Sequence, residues 1–163
     1  MTLADFLVWL EGSALGYAMR NSGLWTYGVV NLAHIIGVAT LFGSILMLDL
    51  KLLGLWRSIP LASLSRPAAT LGAAGFILAL ITGLGLLATQ ATEYIGNPFF
   101  YIKFPAIALG LVNVLLIHRS AAWVAHRARD LSAREERQLA GMGGVSLLCW
   151  LTALSTGRMI GYW

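Results

Sequence analysis

The sequence predicts an all-α integral membrane protein: a bundle of four transmembrane helices preceded by an N-terminal helix in the membrane interface. Three observations carry that expectation. Of the 163 residues, 58% are hydrophobic and only 11% are charged, whereas soluble domains carry about 25% charged residues. Mean hydropathy is +0.77. Four apolar stretches are each long enough to cross ~30 Å of hydrocarbon, which takes about 20 helical residues. A spanning segment must satisfy its own backbone polar groups in lipid, so these stretches should be helices.

The first element is LADFLVWLEGSALGYAM, residues 3–19. Its apolar and aromatic residues are interrupted by Asp5 and Glu11, which suits a helix lying in the interface rather than a span. It has no basic leading region, so it does not read as a secretory signal. The cluster RNSG at 20–23 ends it. The spans follow at about 25–50, 69–90, 99–118 and 139–160. Between the last two, HRARDLSAREERQ at 126–138 reads as a short solvated helix capped by Ser132 with Glu135 three residues on. His126, beside Arg127, reads as a solvated loop histidine. No linker or soluble domain is visible, so residues 1–163 form one membrane domain.

Net charge is +4 and the pI about 9.6, but the basic residues fall in two loops rather than along a nucleic-acid-binding face. One loop holds Lys51, Arg57 and Arg66; the other holds Arg119, Arg127, Arg129, Arg134 and Arg137. The loop TEYIGNP at 92–98 has none. The positive-inside rule therefore makes the basic loops cytoplasmic and both termini external. Trp25, Tyr27, Tyr94, Tyr101, Tyr162 and Trp163 then mark the outer interface, with Trp56 and Trp123 at the inner one. The partner implied is the lipid bilayer. Gly43, Gly54 and GMGG at 141–144 offer packing faces for a homo-oligomer.

Ionisable residues at membrane depth are costly and usually functional. The single cysteine, Cys149, excludes an internal disulfide, a C-x-x-C zinc pair and a C-x-x-C-H haem attachment. At a rise of ~1.5 Å per residue, His34 lies ~12 Å into the first span and Lys103 ~6 Å into the third from the same edge. Arg158 is similarly shallow in the fourth span. His118 lies ~28 Å down the third span, close to Asp49 in level. Tyr27, Asn31, His34, Gly37, Leu41 and Ser44 form one stripe at helical spacing; Gly72, Gly75, Ala79, Thr82 and Gly83 form another. The small residues make room for either a second backbone or a flat ligand.

A histidine beside glycines, with cations nearer the surface, suits haem b. Imidazole takes the iron, and Lys or Arg pairs with the propionates. The candidate cofactor-binding residues are therefore His34, Lys103, Arg158, His118, Gly37 and Gly75, with His34 and His118 as the candidate metal ligands. The ~16 Å difference in depth excludes both histidines from one iron, because axial nitrogens on one metal stand only ~4 Å apart. The competing readings make His34 a neutral histidine bonded across helices to Thr82 or Ser155, or a proton relay.

Three segments resemble a known group. LAHIIGVATLFGSILMLDLKLLGL at 32–55 resembles the first span of a group of small bacterial membrane proteins, among them the membrane-bound J-type protoporphyrinogen oxidases and, more distantly, the copper-resistance D-type membrane proteins. FFYIKFPAIALGLVNVLLIHR at 99–119 resembles a J-type oxidase span. STGRMIGYW at 155–163 resembles the ending of uncharacterised four-helix relatives. The resemblance implies haem b on His34, with Lys103 as a second functional residue. The expected function is thus a haem-b membrane protein that moves electrons, with a quinone or a redox protein as partner. Whether it is an enzyme stays open; if so, it is a haem-dependent membrane oxidoreductase. The alternatives are an oxidase acting on a tetrapyrrole, a transporter of copper or a small solute, and a non-catalytic accessory subunit.

Overall fold

The computed structural model describes residues 2–163 and is helical throughout. The elements are α1 (Leu3–Gly12), α2 (Ala14–Asn21), α3 (Gly23–Leu52), α4 (Leu61–Thr89), a 3-10 turn (Ala91–Tyr94), α5 (Pro98–Arg119), α6 (Ala121–Ala125), α7 (Ala133–Met159) and a final 3-10 turn (Ile160–Tyr162). Four of these helices are long and apolar enough to cross a membrane, as expected of a helical membrane bundle. Between 17% and 33% of each apolar window is buried within the chain, and side chains such as Leu24, Trp25 and Leu148 stand exposed. In water such surface would aggregate; in a bilayer it meets lipid.

The chain divides into two compact units, Met1–Leu41 with Ala73–Pro98, and Phe42–Gly72 with Phe99–Trp163. In the first unit the N-terminal segment is two helices rather than the single one expected at 3–19. Thr2 and Asp5 form a capping box at the start of α1. Ser13 takes an extended backbone and its hydroxyl accepts from the Gly16 N–H, which starts α2 afresh. The pair straps the end of α4. Leu7 and Leu10 are buried, and Gly16 lies so close to Ala88 that an added Cβ would sit 2.7 Å from its carbonyl oxygen. The Glu11 carboxylate accepts from the Thr92 N–H at 2.7 Å. Arg20 Nη1 donates to the Ala88 and Thr89 carbonyls at 3.4 and 3.2 Å, where the last carbonyls of a helix want a cation. Arg20→Ala should therefore cost about 1 kcal/mol. Amide exchange should rise at residues 88–94 and stay unchanged at the far end of α4.

In the same unit α3 and α4 meet backbone to backbone. A Cβ on Gly37 would lie 2.7 Å from Ala79 N, and one on Gly75 would lie 2.5 Å from Leu41 N. Only glycine allows that approach, which satisfies the small-residue rule for helix contacts in lipid.

In the second unit Leu52, Ile117, Ala122, Trp123 and Leu139 form a core, flanked by Leu48, Leu61, Leu131 and Met142. The short α6, capped by Ser120, feeds Trp123 into it. The capping box at Ser132 and Glu135 is present, but it does not cap a separate solvated helix. It starts the last span itself, so α7 runs unbroken for 27 residues from Ala133, and the connection before Ser132 is made of α6 and turns.

Candidate functional site

His34 is half-buried on α3, in the first unit. Its Nδ1 lies 3.0 Å from the Ala79 carbonyl oxygen and 3.1 Å from Thr82 Oγ1. A carbonyl only accepts, so Nδ1 carries the hydrogen. Thr82 agrees, because its own hydroxyl donates to the Leu78 carbonyl at 2.6 Å and so presents a lone pair to the ring. In this tautomer Nε2 is the nitrogen with the lone pair. The ring lies over Gly83, where an added Cβ would stand 2.9 Å from Cε1. Thr82 was one of the two partners that the sequence offered for a histidine bonded across helices.

The glycines sort differently from expectation. Gly37 and Gly75 are filled by the facing backbone, so the space that could have held a flat ligand at these two positions is closed. The glycine that accommodates the imidazole is Gly83, which shares the α4 stripe with Gly75. The α3 stripe is buried at Gly37, Leu41 and Ser44, whereas Tyr27 and Asn31 are exposed.

Lys103, Arg158 and His118 belong to the second unit. The Lys103 side chain lies along α7 against Gly157, its Nζ 3.4 Å from where a Cβ would be. Arg158 is exposed; its guanidinium donates to the Tyr162 hydroxyl and stacks 4.6 Å above that ring. That contact suits an interfacial anchor. His118 is exposed, donates through Nδ1 to the Val114 carbonyl of its own helix at 2.8 Å, and faces Trp123 at 5.0 Å between ring centres. With Trp123, Val124 and Arg127 it lines a groove of about 260 Å³. Among the described residues no group of three His, Cys, Asp or Glu side chains could hold a metal ion.

The second unit also holds a polar set that sequence reasoning missed or misplaced. His126 is not solvated but buried, at 8% exposure. Its Nδ1 donates to the Trp123 carbonyl, and its Nε2 accepts from Ser65 Oγ at 2.9 Å. The two bonds clasp the α5–α7 connection to the start of α4. Burial, helped by the nearby Arg127 charge, moves its pKa below the ordinary 6.5. The folded protein thus favours the neutral ring. This contribution to stability is complete above the ordinary value and is lost as pH falls through the lowered one. The thermal midpoint should drop on acidification from about pH 7 to about pH 5, within the histidine range, and His126→Gln should flatten that drop.

Asn113 is buried at 6% exposure and donates to the Met142 carbonyl of α7 at 2.9 Å. One turn on, the buried Ser146 lies beside Asp49 of α3. Each of these residues is one small polar side chain in an apolar run, and nothing in the sequence pairs them.

A family model matches residues 6–163, from α1 through the last turn of the chain. The chain belongs to DUF6644, a family of unknown function. No curated protein and no solved structure matches it. The DUF6644 match covers His34 with its α4 contacts as well as the buried polar set, so both lie within the region that defines the family.

Proposed function

We propose that this DUF6644 member is a haem-b-binding, multi-pass membrane protein with an electron-transfer role, and that His34 is its iron ligand. The single observation behind this reading is the anchoring of the imidazole. A ligating histidine needs its second nitrogen donated to a carbonyl or a similar acceptor, which sets the tautomer and the ring plane. Nδ1 of His34 has that bond to Ala79, supported by Thr82 and by the room at Gly83.

The donor chemistry of His34 fits an axial ligand. The glycine seam at Gly37 and Gly75 does not supply the slot for a macrocycle, so on this reading the group meets His34 away from that seam. Haem b would supply one-electron chemistry. The chain's part is to hold the imidazole and exclude water through the surrounding lipid-facing helices. On this reading the protein sits in a bacterial inner membrane, with the basic loops at 51–66 and 119–137 in the cytoplasm and both termini outside. A homo-oligomer, and a quinone or redox protein as partner, complete the reading.

The same two bonds support a second reading, in which His34 only fastens α3 to α4 and carries no cofactor. Metal analysis of the protein purified from iron- and haem-supplied cells separates these readings. Iron in step with protein supports the haem reading. Absence of metal supports the fastener, and copper without iron supports the copper-handling alternative.

A further inference from the structure

We propose that Asp49 is a proton-binding site, its carboxyl group held in the neutral acid form between α3 and α7. Asp49 ends α3 at the basic-loop side and is only 2% exposed. Ser146 of α7, itself 2% exposed, is the polar side chain beside it. The Asp49 Oδ2 is buried and makes no hydrogen bond. Among the described residues no cation pairs with it, since the ion pair found there joins Arg129 to Glu135.

The groups around it cannot compensate a negative charge. From α7 it is faced by Ser146 and by the backbone at Gly143, where an added Cβ would lie 3.4 Å from the Asp49 carbonyl oxygen and 3.0 Å from Leu52 Cβ. On α3 itself Lys51 turns away, donating to the Trp56 carbonyl at 3.0 Å. A carboxylate ion in such a place lacks both a counter-charge and the hydrogen bonds that would stabilise it. The neutral acid removes that conflict.

The ligand of this site is a proton. On release the O–H bond breaks, the electron pair stays on the carboxylate, and the proton passes to water reaching the basic-loop end of α3. The charge left between α3 and α7 then favours their separation at Gly143. The site is thus loaded when these helices are packed and emptied when they part. This inference does not rest on His34 or on haem.

Infrared spectroscopy of the purified full chain at neutral pH is the direct test. The wild type should show a protonated-carboxyl C=O stretch that shifts down in heavy water. That band should vanish in Asp49→Asn and move to higher frequency in Ser146→Ala, where its polar neighbour is lost. Asp49→Asn should keep the wild-type thermal midpoint, because the amide preserves both shape and neutrality. A spectrum without the band, a band that survives Asp49→Asn, or an Asp49→Asn protein that unfolds much earlier or fails to fold would each overturn the proposal.

Discussion

Gly75→Ala is expected to lower the stability of the detergent-solubilised protein by about 3 kcal/mol, at the upper end of what overpacking a filled contact costs. The reason is local and geometric. The new methyl would lie 2.5 Å from Leu41 N, 2.8 Å from the Gly37 carbonyl oxygen and 3.0 Å from Leu41 Cα. All three are backbone atoms, so no side-chain rotation relieves the contact and α3 must move away from α4. The seam beside it, with Gly37 against Ala79, would open at the same time. Gly43→Ala is the control, because nothing lies within 4 Å of a Cβ there. That substitution should be neutral or slightly stabilising, since alanine is the better helix former by about 0.5–1 kcal/mol. Thermal unfolding followed by circular dichroism distinguishes the two. Equal midpoints for both variants would contradict the close α3–α4 crossing.

The second large effect is expected at Gly83. A methyl at this position meets an imidazole rather than a backbone, 2.9 Å from Cε1 and 3.3 Å from Nδ1 of His34. The ring can swing, so Gly83→Ala should fold. The swing moves Nδ1 off the Ala79 carbonyl and turns Nε2 with it. Loss of such an orienting contact typically weakens a metal ligand 10–100-fold, and haem uptake by the purified variant should fall by a factor in that range. Thr82→Val should act in the same direction and more weakly, because the Ala79 bond remains. If titration with haem gives the same affinity for Gly83→Ala and the wild type, His34 is not the ligand.

The spans were legible because a run of about 20 apolar residues has few other uses. Their predicted limits fall within one or two residues of the observed helices at six of the eight ends. The largest gaps are at the starts of α4 and α7, where Leu61–Ala68 and Ala133–Gln138 are helical but polar enough to look like loop. The pairing of Ser132 with Glu135 was legible too, since a capping box is a local pattern; which helix it opened was not. The break at Ser13 was hidden, because one hydroxyl capping Gly16 leaves the apolar character of residues 3–19 unchanged.

The site divides along the same line. His34 stood out as an ionisable side chain inside a span, and Thr82 was one of the two partners offered for it. Spacing alone could not tell that Gly37 and Gly75 meet a backbone while Gly83 meets the ring, because all three lie on matching helical faces. His126 was misread because its neighbours Arg127 and Arg129 suggest solvent, while the residue that buries it, Ser65, is 61 positions away. Asp49 was visible as a charge at the end of α3, but its lack of a counter-charge is a property of the packing.

The central claim concerns what His34 holds, and an absorption spectrum tests it most directly. Protein purified in detergent from haem-supplied cells should be red with a Soret band, and His34→Ala should fold to the same helical content with that band lost or shifted. A colourless wild-type protein, or a Soret band unchanged in His34→Ala, would contradict the account.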